Sequence, residues 1–467
     1  MTRAHALAAA LPFLVACQTV ASSARAPGES EGGLYVYLQP LTGAAERISF
    51  TVAGATAVRS DGTSVPLDLP ARTPSNASWK GQRLLAGGPV PTGAYSAISL
   101  RFEKATLSRP DGDASLMVPG DAVRIELPVS VERRRATTVW VTLDGARSVT
   151  GGVSFSPAFS AGLPPLLVPG LVAYVSSPAS GNVTVLDRRT RNVMSVIFTG
   201  GEPRGIALAM IRLQAFIALG SDDVIQVQDL AAGTPLSQIR LRPGDRPGDV
   251  ALTPDGSLLV VVNEGSSTVS FLDPAAQVEI DRVPTGQQPE FLLLDRAGRR
   301  GYVCNRASGS VTVLDVANRA VAGTIQTEAA PVALGLSRAG DRLYVAHAAS
   351  PYLNVYSTAT LAPVNRVLVG MGASALVVDP RTDLIYLGRN GASQIDVLEP
   401  NLLLPVGVVP VPDWVSFAVL DETENVLLAA MPARDGVVAV DLTSRKVAGV
   451  AAAAGSPFRI AGAGERR

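Results

Sequence analysis

LLVVVNEGSSTVSFLD (258–273), RGYVCNRASGSVTVLD (300–315) and RLYVAHAASPYLNVYS (342–357) are successive windows of a 467-residue chain, spaced 42 residues apart. Each reads the same way: an apolar run ends in a polar residue, a short turn follows, and a second apolar run ends on a polar side chain. Extending the step places Asp187, Asp229, Asp273, Asp315, Ser357, Glu399 and Asp441 in one slot, and every step is 42 residues except the second, which is 44. The tetrads YVSS (174–177), FIAL (216–219), VVVN (260–263), YVCN (302–305), YVAH (344–347), YLGR (386–389) and LAAM (428–431) keep the same beat. So do Pro203, Pro247, Pro289, Pro331 and Pro457, with Ala373 and Val415 in the remaining slots. Three features sharing one register define a structural repeat, and a period of about 40–45 residues is that of one four-stranded propeller blade.

The elements of one unit follow from its residues. GDVALT (248–253) reads as a first strand ended by the turn Pro254-Asp255-Gly256. LLVVVN (258–263) is a strand buried on both faces, TVSFLD follows the loop Glu264–Ser267, and QVEIDRV is a fourth strand. A lone sheet of this kind leaves both apolar faces bare, so each unit needs neighbours. The repeat begins in mid-unit: residues 171–199 supply strands two to four, and Pro457-Phe458-Arg459-Ile460-Ala461 aligns with Pro203-Arg204-Gly205-Ile206-Ala207. The expectation is six whole blades and one split blade, closed by the C-terminal strand.

The tetrads, YVCN and VVVN above all, resemble the YVTN-type seven-bladed propeller family over residues 171–464. The resemblance implies a secreted or surface-attached bacterial propeller without an assigned activity. The tryptophan–aspartate signature of WD40 blades is absent.

Ahead of the repeat, Ala6–Leu14 is too short to span a bilayer and reads as a removable signal. Leu14-Val15-Ala16-Cys17 resembles the bacterial lipobox, which implies lipidation at Cys17. Gln18 after it implies the outer membrane, with the chain on the periplasmic or cell-surface side. Residues 1–16 are thus expected to be the signal, and 17–33, rich in Ser, Ala, Gly and Glu, a flexible tether. Between 34 and 157 the beat is absent but alternation is clear: Ile48, Phe50, Val52; Ile98, Leu100, Phe102; Val139, Val141, Leu143. Short alternating runs separated by turns predict an antiparallel β-sandwich. VAGATAVRSDG (52–62) and PTGAYSAISLRFEKATL (91–107) resemble an immunoglobulin- or transthyretin-like domain of bacterial lipoproteins. Pro164, Pro165 and Pro169 mark a linker over 158–170, with the propeller occupying 171–464. The fold class expected is all-β throughout.

The formal charge is zero, with 40 basic and 40 acidic residues, so nothing in the charge favours nucleic acid. With Cys17 lipidated, Cys304 has no intramolecular partner and reads as an inert buried residue. His347 is the one histidine outside the signal, which removes haem-attachment and histidine-rich metal motifs. No G-x-S-x-G elbow or phosphate loop is present, and no cofactor is expected. The repeating carboxylates read as turn holders, accepting backbone N–H bonds.

The residues that break the repeat are the candidate ligand or partner contacts: Arg204, Glu264, Glu290, Arg306, His347 and Arg389. All fall in loops or strand ends on the face that carries the connections into the first strand and out of the second. Polar groups converging on a channel mouth suit an envelope protein or a small polar ligand. The function expected is a lipid-anchored, non-enzymatic binding or scaffold module. The alternative is a lactonase-like hydrolase using His347 with Glu290 and Arg306 or Arg389, favoured if Glu264, Glu290 and His347 share a metal.

Overall fold

The computed structural model describes Gly28 and residues 30–70, 81–453 and 455–462. Cys17 and the expected signal, residues 1–16, lie outside the described residues. Among those residues there is no α-helix; the chain is all-β. From Val172 onward the strands form seven four-stranded sheets, each antiparallel. Six of them repeat the pattern of the unit Pro247–Leu252, Leu259–Asn263, Thr268–Asp273 and Val278–Pro284, paired in sequence order, and the seventh takes one strand from the far end of the repeat. Burial explains the composition of each strand. Val260, Val261 and Val262 are inaccessible, whereas the outer strand Val278–Pro284 has only exposed and half-buried residues. The first strands of successive sheets touch one another around a closed cycle.

Closure uses both ends of the repeat. Arg459–Gly462 runs antiparallel to Val172–Ser177, with Ser176 opposite Arg459 and Ala173 opposite Gly462. Phe458 N–H donates to the Ser176 carbonyl at 2.8 Å, and Arg459 N–H donates to Ser176 Oγ at 3.1 Å. The split sheet is also tied to the preceding one by a buried ion pair. Arg188 clamps both carboxylate oxygens of Asp421 and donates to the Gly170 carbonyl at 3.2 Å.

The repeating carboxylates hold the turns between third and fourth strands. Asp187 Oδ1 accepts the N–H groups of Arg189 and Thr190 at 3.0 and 2.6 Å, and Asp273 Oδ1 those of Ala275 and Ala276 at 2.7 and 2.9 Å. Ser357, in the slot without a carboxylate, accepts the Thr360 N–H through Oγ at 3.3 Å. The backbone donors hold Asp273, Asp315, Glu399 and Asp441 below the usual carboxylate range. Four residues on, each turn passes through the left-handed region: Arg191, Gly233, Gln277, Arg319, Leu361, Leu403 and Arg445 have φ between 51° and 67°. Only one of them is glycine, so the side-chain acceptor and the paired strands hold the others in a conformation their Cβ disfavours.

The first domain has two main sheets on one core, beside a short two-stranded pair of Val149–Thr150 with Ser154–Phe155. One orders Phe159–Gly162, Ala136–Leu143, Glu31–Leu38 and Arg83–Pro91; the other is built around Ile48–Arg59 and Gly93–Arg109. Ile98, Leu100 and Phe102 face inward with Val139, Val141 and Leu143, as the alternation predicts. Phe50, Phe102, Phe155 and Phe159 cluster at one end.

Two expectations need correction. Pairing is not antiparallel throughout: Glu31–Leu38 lies parallel to Ala136–Leu143. These strands come from opposite ends of the domain, and the chain crosses to the second sheet between them, which a parallel pair requires and a hairpin does not. The boundaries also shift, because the first strand starts at Glu31, inside the expected tether, and Phe159–Gly162 lies in the expected linker. Glycine there serves close approach: a Cβ at Gly32 would meet the Glu132 carbonyl at 2.2 Å, and one at Gly33 the Phe198 ring at 2.3 Å.

Phe198 belongs to the outermost strand of the split sheet, so the first domain covers that edge. Trp140 Nε1 donates to the Val193 carbonyl at 2.8 Å, while Val193 N–H donates to Gln82 Oε1 at 2.6 Å. Side chains of the first domain thus occupy main-chain groups that an open edge would leave to another chain.

Candidate functional site

The second residue after each proline slot forms one layer across the centre of the ring: Gly205, Asp249, Phe291, Ala333, Ala375, Phe417 and Arg459. The three small residues leave room, and the large ones fill it. The Arg459 guanidinium lies 4.6, 4.8 and 5.2 Å from the ring centres of Phe458, Phe417 and Phe291. Its Nη2 donates to the Glu290 carbonyl at 3.2 Å. Its Nε stands 3.8 Å from Asp249 Oδ1 and has no hydrogen-bond partner. Asp249 is otherwise engaged: Oδ1 accepts the Val250 N–H and Oδ2 the Leu292 N–H, both at 3.0 Å. Gly205 permits this, because a Cβ there would come within 2.7 Å of the Asp249 Cα.

Beyond the layer the channel widens into a cavity of about 520 Å³. Ile206, Leu293, Val377 and Val419 line its walls, and Arg296, Arg338 and Glu422 its mouth. A second chamber of about 800 Å³, walled by Leu208, Ile211 and Leu252, adjoins it through Ile206, Arg296 and Glu422. Both open among the turns between first and second strands. Neither is lined by a loop of the opposite face, so the Arg459 layer is the floor of the 520 Å³ cavity.

The residues singled out from sequence lie elsewhere, four of them in two pairs and two with partners of their own. Arg204 Nη1 donates to Glu264 Oε2 at 2.7 Å, bridging two sheets, and its guanidinium lies 5.7 Å from the Phe458 ring. Arg306 Nη1 and Glu290 Oε2 are 3.3 Å apart on an exposed rim. Arg389 Nε donates to Asp396 Oδ2 at 3.0 Å within its own sheet. His347 is wholly buried, with Nδ1 3.2 Å from the Tyr352 carbonyl, and burial pulls its imidazole below the ordinary histidine value. Its slot is a hairpin lock. Asn305, in the preceding unit, donates to Ser310 Oγ and Thr312 Oγ1 at 3.1 and 2.9 Å, and Asn263 makes the matching pair of bonds. Two pairs of the six are therefore brought together, and His347 and Arg389 face into separate hairpins. Among the described residues no three His, Cys, Asp or Glu side chains are placed to share a metal ion. Burial pushes the Cys304 thiol up, away from its reactive thiolate form.

Arg459, Phe291 and Phe417 are the residues that sequence reasoning passed over. The signal was available in the column two places after each proline, where one Arg and one Asp stand among small and aromatic residues.

A family model described as YNCE-like beta-propeller matches residues 249–399. Among solved structures, Kuenenia stuttgartiensis hydrazine synthase aligns with a TM-score of 0.51 at 17% identity, covering 62% of this chain and 94% of that one. The dihydro-heme d1 dehydrogenase NirN in complex with DHE aligns with a TM-score of 0.50 at 12% identity, covering 65% and 78%. The chain carries a β-propeller. At these identities the likeness is one of fold. No curated protein sequence matches the chain. In propeller terms, the cavity lies in the central channel, and each four-stranded sheet is a blade.

Proposed function

We propose that this chain is an outer-membrane lipoprotein with a β-sandwich first domain and a seven-bladed propeller, acting without catalysis as a binding module. One observation carries the binding reading: the central channel is shut at one end by the Arg459 layer and open at the other as a cavity of about 520 Å³. That volume falls within the range of about 300–1,000 Å³ usual for small-molecule sites, and its apolar wall with a few polar groups is the usual lining. The sheet count and the pairing of Arg459–Gly462 with Val172–Ser177 support the blade number. The shared core of the first two sheets supports the sandwich. The lipid anchor rests on the Leu14–Cys17 motif. The hydrolase alternative gains nothing from the geometry, because Glu264, Glu290 and His347 are each engaged separately.

Native mass spectrometry of the full chain released gently from its own envelope tests the binding reading. The expected result is a small-molecule adduct that disappears in Val419→Trp, which fills the channel. An adduct-free wild type, or one indistinguishable from the variant, overturns it. For the anchor, Cys17→Ser is expected to move the protein from the membrane pellet to the soluble fraction; retention after a high-salt wash overturns that part.

A further inference from the structure

The other deeply buried arginines of the propeller each clamp a carboxylate. Arg188 holds Asp421 through two nitrogens. Arg282 holds Asp245 through Nη1 and Nη2, both at 2.7 Å, and reaches Glu279 at 2.6 Å through Nε. Such forked pairing is what a guanidinium removed from water requires. Arg459 is as buried as Arg282, with 10% of its side chain exposed, yet it has one carbonyl acceptor and an Nε with none. The nearest carboxylate, Asp249, has each oxygen committed to a backbone N–H and stands beyond hydrogen-bond distance. The aromatic rings around the guanidinium hold its position and exclude water without supplying an acceptor. A buried donor left without a hydrogen bond is costly, and Arg459 lines the cavity, so its guanidinium is placed to take an acceptor from a ligand.

The surroundings define that ligand. From Arg459 the wall is apolar, through Ile206, Leu293, Val377 and Val419, as far as the mouth. There Arg296, Arg299 and Arg338 outnumber Asp295 and Glu422, which favours the approach of an anion. We propose, resting on the binding reading above, that the channel takes an amphiphilic carboxylate, its head accepting from Arg459 and its apolar tail running toward the mouth.

Isothermal titration calorimetry of the full chain with decanoate, decanol and acetate separates head from tail. Decanoate is expected to bind at least about tenfold more tightly than either probe, the value of one charge-assisted hydrogen bond added to tail burial. Arg459→Gln should reduce decanoate to the affinity of decanol while leaving decanol within about twofold. Because Arg459 sits in the ring-closing strand, Val419→Trp provides a second test on a different blade, and it should abolish decanoate binding. Decanoate binding that survives Val419→Trp places the ligand outside the channel and overturns the proposal. If decanoate and decanol bind alike and both are lost in Val419→Trp, the channel still binds but the anionic class is wrong. If neither probe binds, the class is wrong while the native adduct persists, and the binding reading falls as well if the adduct is absent.

Discussion

The two faces of the propeller use the same residue types to opposite ends. On the face of the prolines, charged side chains stand in loops and pair with one another: Arg204 with Glu264, Arg306 with Glu290. On the other face the conspicuous feature is a cavity, and the charge that matters is one arginine at its floor. Polarity in a loop therefore marks solvent contact first and function second, because an exposed charge loses little by pairing with its neighbour. A charge carried into the centre of the ring has no such cheap solution, and its environment says more about ligand chemistry.

Ring closure gives the largest expected effect. Removing residues 456–467 takes away the strand paired with Val172–Ser177, and with it the Arg459 floor. Both neighbouring blades then expose apolar faces and the split blade exposes an open edge. The truncated protein is expected to melt far below the full chain and to aggregate, whereas removing only Glu465–Arg467 should change nothing. Differential scanning calorimetry with light scattering checks this, and equal melting temperatures would mean the ring does not depend on its last strand.

Next comes the seam behind the cavity face. Arg188→Ala leaves Asp421 buried without its counter-ion, which costs about 3–5 kcal/mol in comparable pairs. The lower end is expected, because Asp421 Oδ1 keeps the Thr423 and Glu424 N–H groups at 3.1 and 3.0 Å. Denaturant unfolding measures it. A loss below about 1 kcal/mol would show that water reaches this seam and that the pair behaves like a surface one.

What the sequence disclosed, and what it hid, follows the same divide. The turn carboxylates were legible because Asp187 and Thr190 lie three residues apart and the bond between them is local. Closure was legible because Pro457–Ala461 repeats a pattern whose other copies are complete. The Arg459 cage was not, because Phe291, Phe417 and Asp249 come from different blades and meet only after the ring closes. His347 misled for a related reason: a lone histidine in a repeat suggests chemistry, but its slot is the hairpin lock filled by Asn263 and Asn305 in the two preceding blades.

That lock gives a pH test. Burial keeps the folded His347 imidazole below its ordinary value of about 6.5, so the unfolded chain takes up the proton first as pH falls. Stability is thus complete above about pH 6.5 and declines below it, by at most about 1.4 kcal/mol per pH unit for one proton. His347→Asn, which restores the residue of the preceding blades, should flatten the profile just below about pH 6.5. The depressed carboxylates lose their contribution only at lower pH, below about 4, so the two windows are separable. An unchanged slope in the variant would locate the titration elsewhere.

The smallest expected effect is on the exposed rim. Arg306 and Glu290 are 3.3 Å apart, with 48% and 26% of their side chains accessible, so solvent screens the pair. Arg306→Ala should change unfolding free energy by no more than about 0.5 kcal/mol, against the several expected at Arg188 for the loss of the same type of pair. Its effect on decanoate affinity should be equally slight, since the Arg459 floor stands between this rim and the cavity. The outcome that breaks the comparison is a folded Arg306→Ala protein that loses its native adduct. The proline face would then take part in binding, and the closed end of the channel would have to open for a ligand to reach it.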